Sequence, residues 1–168
     1  SGVVWHTQGS GKSLTMVFLA RMLRASRDLA DYKIVLVNDR QDLEEQLGDT
    51  ATLIGGRVNV IETRAGLRQH LSTDSSDISM VMIHKFQEHK QTLTNTVAEA
   101  LGTYLAMPSG KTFGVVNTSD RIILMIDEAH SLGVLGATGH GIEEYFNMPG
   151  AIDVKMGTLS KTIPGIGG

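Results

Sequence analysis

Five short apolar runs constrain this chain more than any other feature: Val3-Val4-Trp5, Ile34-Val35-Leu36-Val37, Val58-Asn59-Val60-Ile61, Met80-Val81-Met82-Ile83 and Ile122-Ile123-Leu124-Met125-Ile126. Most lack the polar alternation of a strand with one wet face, so they predict strands buried on both faces. Helical patterns lie between them, at Ser13 to Arg27, Asp42 to Leu47, Ala65 to Leu71 and Thr92 to Leu105. Such alternation implies an α/β fold, with a parallel sheet and crossover helices on its faces. Met107 to Asp120, with Pro108, Gly110 and Gly114, reads as a loop or hairpin. Past Ser131 the texture changes, with glycines at 133, 136, 139 and 141. At 168 residues and 41% hydrophobic content, one good core is the natural count.

Charge and composition narrow the function classes. A net charge of -3 argues against a free-standing polyanion binder, so any grip on nucleic acid must be local. The absence of cysteine excludes a disulfide framework and a cysteine zinc site, and favours a cytoplasmic setting. No window approaches the roughly eighteen apolar residues of a membrane span, so no membrane partner is expected. The chain starts at Ser1 on a strand-like run and stops on Gly167-Gly168, which reads as a piece of a longer frame.

The run His6-Thr7-Gln8-Gly9-Ser10-Gly11-Lys12-Ser13 falls between an expected strand and an expected helix, the setting a phosphate loop requires. Gly9 and Gly11 let successive backbone N–H groups of Thr7, Gln8, Gly9, Ser10 and Gly11 turn toward phosphates, and the helix adds its positive end. Lys12 would reach the β and γ phosphates of ATP, and the Ser13 hydroxyl would ligate Mg²⁺. His6 stands where the strict pattern has glycine. A second Gly-Lys-Thr, at Gly110-Lys111-Thr112, follows no apolar strand and reads as a turn.

Ile122 to Ile126 delivers Asp127-Glu128-Ala129-His130 to a strand's carboxyl end, where ligand crevices of open α/β sheets lie. There Asp127 would hold the metal, Glu128 would orient or deprotonate the attacking water, and His130 would sense the nucleotide. The same acids also suit a cap on a following helix. His70, His89 and His140 show no metal-ligand spacing, and Met80, Met82 and Met125 read as core fillers.

Gly2 to Ser13, Val35-Leu36-Val37-Asn38-Asp39-Arg40, Asp42-Leu43-Glu44-Glu45-Gln46-Leu47 and Ile83-His84-Lys85-Phe86 together resemble the motor subunit of type I restriction enzymes, a superfamily 2 helicase-like translocase. The resemblance covers about residues 1 to 130. It implies a three-layer RecA-like P-loop domain, the first of two, carrying a Gly-rich C-terminal extension. It places Asp39, Arg40, His84 and Lys85 at a duplex DNA backbone, where basic groups position without reading sequence. Specificity and methylation subunits would be partners in the whole complex. The second motor domain's arginine finger contributes on the order of 10³ to 10⁵ in rate, so ATP binding with weak turnover is the expectation for this chain.

Residues 127 to 168, through Ser131-Leu132-Gly133, Gly139-His140-Gly141 and Gly157-Thr158-Leu159-Ser160-Lys161, resemble the α-oxoamine synthases, which use pyridoxal 5'-phosphate. By that likeness Asp127 would pair with the cofactor's ring nitrogen, His130 would contact its phenolic oxygen, and Lys161 would carry it covalently. The two resemblances overlap at Asp127-Glu128-Ala129-His130, so the chain reads as a join of two families. The expected parts are a motor domain over 1–131 and a partial synthase-like segment over 132–168, entered through a turn-rich linker at Gly133 to Gly141.

Overall fold

The computed structural model describes residues 3–4, 12–38, 58–82, 115–162 and 164–165; the side chains of Lys12 and Ser13 are outside that description. Helix α1 (Lys12–Ala25) leads into β1 (Lys33–Asn38). Then come β2 (Val58–Ile61), α2 (Arg64–Leu71), β3 (Ile78–Met82), β4 (Ile122–Asp127), the four-residue α3 (Ile142–Tyr145) and β5 (Val154–Met156). The strands lie in the order β2-β3-β1-β4-β5, and every pairing is parallel.

Register explains why the apolar runs do not alternate. Ile34 stands opposite Ile78 and Ile123, and Leu36 opposite Met80 and Met125. These side chains form one core with Val17 and Ala20 of α1. The intervening residues Val35, Val37, Val81 and Ile126 point the other way and pack with Ile61 and with Leu67 of α2. Both faces are covered, so each strand needs apolar residues at odd and even positions alike. The result is the three-layer α/β arrangement, and Met80, Met82 and Met125 are buried in it as expected.

Helix ends are fixed locally. Thr63, extended at φ -120 and ψ 149, accepts the Gly66 N–H on its hydroxyl at 3.0 Å and starts α2. Beyond α1, the Arg24 guanidinium donates to the carbonyls of Ala30 at 2.6 Å and Tyr32 at 3.1 Å, tying the turn that feeds β1. At the amino end of β1, Lys33 is 2% exposed. Its ammonium donates to His70 O at 2.7 Å, Ser75 Oγ at 3.0 Å and Thr73 Oγ1 at 3.2 Å, and lies 3.5 Å from Asp77 Oδ1. His70 Nε2 meets Ser79 Oγ and lies 3.3 Å from Asp77 Oδ2, so His70 serves the fold.

Two sequence expectations change. Val3 and Val4 are not in a strand and are 97% and 72% exposed, and Trp5 lies outside the described residues. β4 is hydrogen-bonded on both edges, by β1 and by β5, and Val3 and Val4 pair with neither of the outer strands β2 and β5. The segment read as an appended extension supplies that second neighbour. Asp153 clamps Leu124 twice, its N–H donating to Leu124 O at 3.0 Å and its Oδ2 accepting from Leu124 N at 2.8 Å. That clamp sets the register in which Val154 faces Met125. The helices expected at Asp42 to Leu47 and Thr92 to Leu105 lie outside the described residues. Among the described residues no helix is long and apolar enough to cross a membrane.

Leu67 is the fully buried residue of α2 and the contact through which that helix docks. Leu67→Ala is expected to lower unfolding stability by about 2–5 kcal/mol. In urea this should move the midpoint without changing the slope; an unchanged midpoint would show that α2 is not held by this contact.

Candidate functional site

The candidate site residues among those described gather at the carboxyl ends of β4 and β5. Asp127, the last residue of β4, is 6% exposed, and its Oδ1 accepts the Ala129 N–H at 2.9 Å. The turn after it is held by the Glu128 carbonyl, which accepts from Ser131 N and Leu132 N, both at 3.1 Å. No long helix follows, so the acids form a tight turn rather than a helix cap.

Glu128 does not face an attacking water in this arrangement. It is 1% exposed, its N–H donates to Met156 O at 2.7 Å, and its Oε1 accepts from Ile142 N at 3.1 Å. Oε2 is buried and, among the described residues, has no hydrogen-bond partner. Gly141 lies directly over it: with φ 89 and ψ -153 it adopts a backbone that L residues rarely reach, and a Cβ there would overlap Oε2.

The Gly133 to Gly141 segment, read as a linker, is an organised cover. Gly133 N donates to Gly139 O at 2.8 Å, and Gly141 N to Leu135 O at 2.9 Å. Glu144 collects the loop by accepting from Thr138 Oγ1 at 2.8 Å, His140 N at 2.9 Å and Thr138 N at 3.0 Å. The His140 N–H and the Thr138 hydroxyl hold its carboxyl below the ordinary glutamate value. Glu143 joins cover to sheet, accepting from the Lys155 ammonium and from Ile152 N, each at 2.7 Å. The Lys155 ammonium, then the Ile152 N–H, depress its pKa.

Lys161 and His130, 31 residues apart in sequence, meet with Nζ 2.8 Å from Nε2. The amine and the imidazole nitrogen are at hydrogen-bonding distance, with donor and acceptor set by the tautomer. Thr158 is 7% exposed, and its Oγ1 lies 2.9 Å from Ser160 Oγ. Asp127, His130 and Lys161 thus follow adjacent parallel strands at one end of the sheet. Thr158, Ser160, Gly141 and Ile142 belong to the same region and were not foreseen; the acidic pair Glu143-Glu144 behind a glycine was the available signal for the last two.

The phosphate-loop residues Thr7, Gln8, Gly9, Ser10 and Gly11 lie outside the described residues, while Lys12 and Ser13 begin the backbone of α1. Asp39, Arg40, His84 and Lys85 also lie outside. The last described residues of β1 and β3, Asn38 and Met82, stand at the same end of the sheet as Asp127, because the three strands are parallel. Among the described residues no three His, Asp or Glu side chains cluster closely enough to hold a metal unaided.

A family model described as SWI2/SNF2 ATPase matches residues 1–147. The chain belongs to the SWI2/SNF2 ATPase family. It is 34% identical over 134 residues to the type I restriction enzyme HindI endonuclease subunit of Haemophilus influenzae, covering 77% of this chain and 11% of that protein. It is 53% identical over 45 residues to a 4-hydroxy-2,2'-bipyrrole-5-methanol synthase of a Serratia species, covering 27% of this chain and 7% of the relative. To the 8-amino-7-oxononanoate synthase of Treponema denticola it is 30% identical over 141 residues, 80% of this chain and 33% of the synthase. The chain therefore spans a third or less of these relatives. Both resemblances read from the sequence stand, and the chain is an ATPase-family domain that also carries synthase-like sequence. The 80% match necessarily reaches upstream of Asp127, so likeness to the synthases is wider than residues 127 to 168.

Because its folded pKa is depressed, Glu143 contributes stability that is complete above the ordinary value of 4.5 and is lost as pH falls through the folded value. Protection of the Ile152 amide against exchange, taken relative to its intrinsic rate at each pH, is expected to fall in acid, and Lys155→Ala should move that loss to higher pH. A window unmoved by Lys155→Ala would remove the ammonium as its cause.

Proposed function

We propose that residues 1–131 form the ATP-binding first domain of a translocase-type motor acting along the duplex DNA backbone, joined to a partial synthase-like segment over 132–168. What carries the reading is the placement of Asp127 at the carboxyl end of an interior parallel strand, in a chain whose Gly9-Ser10-Gly11-Lys12-Ser13 runs directly into α1. Asp127 is nearly buried and acidic, the group magnesium takes when it brings phosphate oxygens and waters as its remaining ligands. Thr7 to Gly11 would wrap the phosphates, Lys12 would offset their charge, and Ser13 would share the metal with Asp127. Asp39, Arg40, His84 and Lys85, which follow β1 and β3 in sequence, are assigned to the DNA backbone. In the whole protein the partners would be the specificity and methylation subunits of a restriction complex.

A second reading rests on the Lys161 and His130 contact. A buried carboxylate, an imidazole and a primary amine at one end of two adjacent strands are the donor set that suits pyridoxal phosphate, so the residues fit the group. Bound there, the cofactor would supply an electron sink and a reactive carbonyl. Asp127 would hold the proton of the ring nitrogen, His130 would orient the phenolic oxygen, and Lys161, its amine deprotonated, would be the attachment point.

Calorimetry with Mg-ATP on the chain and on Lys12→Ala tests the first reading. Affinity is expected to weaken by roughly 10- to 150-fold, the ~1.5–3 kcal/mol of a charge-assisted hydrogen bond; equal affinity would sink it. Pyridoxal phosphate titrated in parallel tests the second, by a yellow absorbance that disappears in Lys161→Ala. Absorbance that survives that substitution would dismiss the site.

A further inference from the structure

Glu128 is the residue on which the motor reading and the observed packing disagree. Hydrolysis of a nucleotide needs water to add to the γ-phosphorus while ADP leaves, with the water's proton passing to a base. A carboxylate can take that proton only where water reaches it. Here the carboxylate is 1% exposed, and three features of the segment beyond it hold it that way. The Ile142 N–H binds Oε1 at 3.1 Å, the bare Cα of Gly141 lies over Oε2, and Met156 O takes the Glu128 N–H at 2.7 Å. The cover is itself braced, through Glu144 onto Thr138 and His140 and through Glu143 onto Lys155 and Ile152.

Most buried polar atoms are hydrogen-bonded. Among the described residues Glu128 Oε1 is bonded by Ile142 N, while the buried Oε2 has no hydrogen-bond partner. Desolvating half a carboxylate is costly, so the cover is held against the preference of this group for water, and release of the cover returns that energy. We infer that residues 133–156 act as a built-in seal on the acid site, which leaves nucleotide binding open but keeps Glu128 from the hydrolytic water. The inference rests on the ATP-binding reading above, since it assigns regulation to that same site.

Two substitutions open the seal by different physical means. Gly141→Ala puts a methyl where Oε2 lies and strains the φ of 89. Ile142→Pro removes the N–H that holds Oε1, at the first position of a helix, where proline is tolerated. The full chain and both variants are compared in three measurements: Mg-ATP affinity, phosphate release, and labelling of Glu128 by a water-soluble carbodiimide with an amine. The expected result is an unlabelled Glu128 in the wild-type chain, and labelled Glu128 with unchanged affinity in the variants. Phosphate release should rise by roughly 10- to 100-fold, part of the ~10²–10⁴ a positioned acid–base group supplies, and the rise should vanish when Glu128→Gln is added. Ready labelling of wild-type Glu128 overturns the seal whether or not ATP binds. A protected Glu128 in a chain that binds no Mg-ATP overturns instead the reading beneath, and the regulatory claim with it. Opened variants that bind ATP and label but release phosphate no faster, or that stay fast in the Glu128→Gln background, also overturn it.

Discussion

The pairing of β4 on both edges is the constraint from which the rest of this structure follows. With β1 on one side and β5 on the other, β4 becomes an interior strand. An interior parallel strand must be apolar on both faces, which Ile123, Met125 and Ile126 provide. Each fully buried side chain of this kind is worth roughly 1.5–3 kcal/mol, so the cross-strand rows Ile34–Ile78–Ile123 and Leu36–Met80–Met125 dominate cohesion. The same pairing leaves the end of β4 as the one place where the strand's next residues, Asp127 and Glu128, can be polar.

Both ends of the sheet hold buried charge. At the amino end, the Lys33 ammonium has three hydrogen-bond acceptors and a nearby carboxylate, so each of its protons is used. That cluster links β1, β3 and the end of α2, although Asp77 Oδ1 has no hydrogen-bond partner among the described residues. At the carboxyl end, Glu128 is as deeply buried but only half satisfied. A fold can hold a few such groups. What differs at the carboxyl end is the cover, since the bare Cα of Gly141 lies over Glu128 Oε2.

Much of the fold was legible because the signals were local and repeated. The apolar runs gave β1, β3 and β4, and the helical pattern at Ser13 to Arg27 and Ala65 to Leu71 matches α1 and α2 to within a residue or two. Val3 and Val4 read equally well as a strand and are not one, because hydrophobicity reports a wish for burial and not which edge is free. β5 was invisible for the opposite reason. Three residues, with Lys155 in the middle, carry no period, and the strand exists through the Asp153 clamp on Leu124. Within the site, resemblance named Asp127, His130 and Lys161, and the last two lie in contact. No spacing rule could join residues that far apart, nor foresee that Gly141 would close over Glu128.

That Asp127-Glu128-Ala129-His130 lies within both the family match and the synthase-like sequence has a physical logic. Metal-assisted phosphoryl chemistry and ring-nitrogen chemistry both call for one aspartate at the carboxyl end of an interior strand, so β4 and Asp127 would suit either. Their demands part at the next residue. A hydrolytic site needs Glu128 wet, whereas a chain that folds back as β5 and the glycine-rich cover buries it. Because Glu128 N bonds Met156 O and Oε1 bonds Ile142 N, wetting the carboxylate and keeping the cover closed exclude one another. The observed packing takes the second course, with Glu128 buried under the cover that β5 and Gly141 complete.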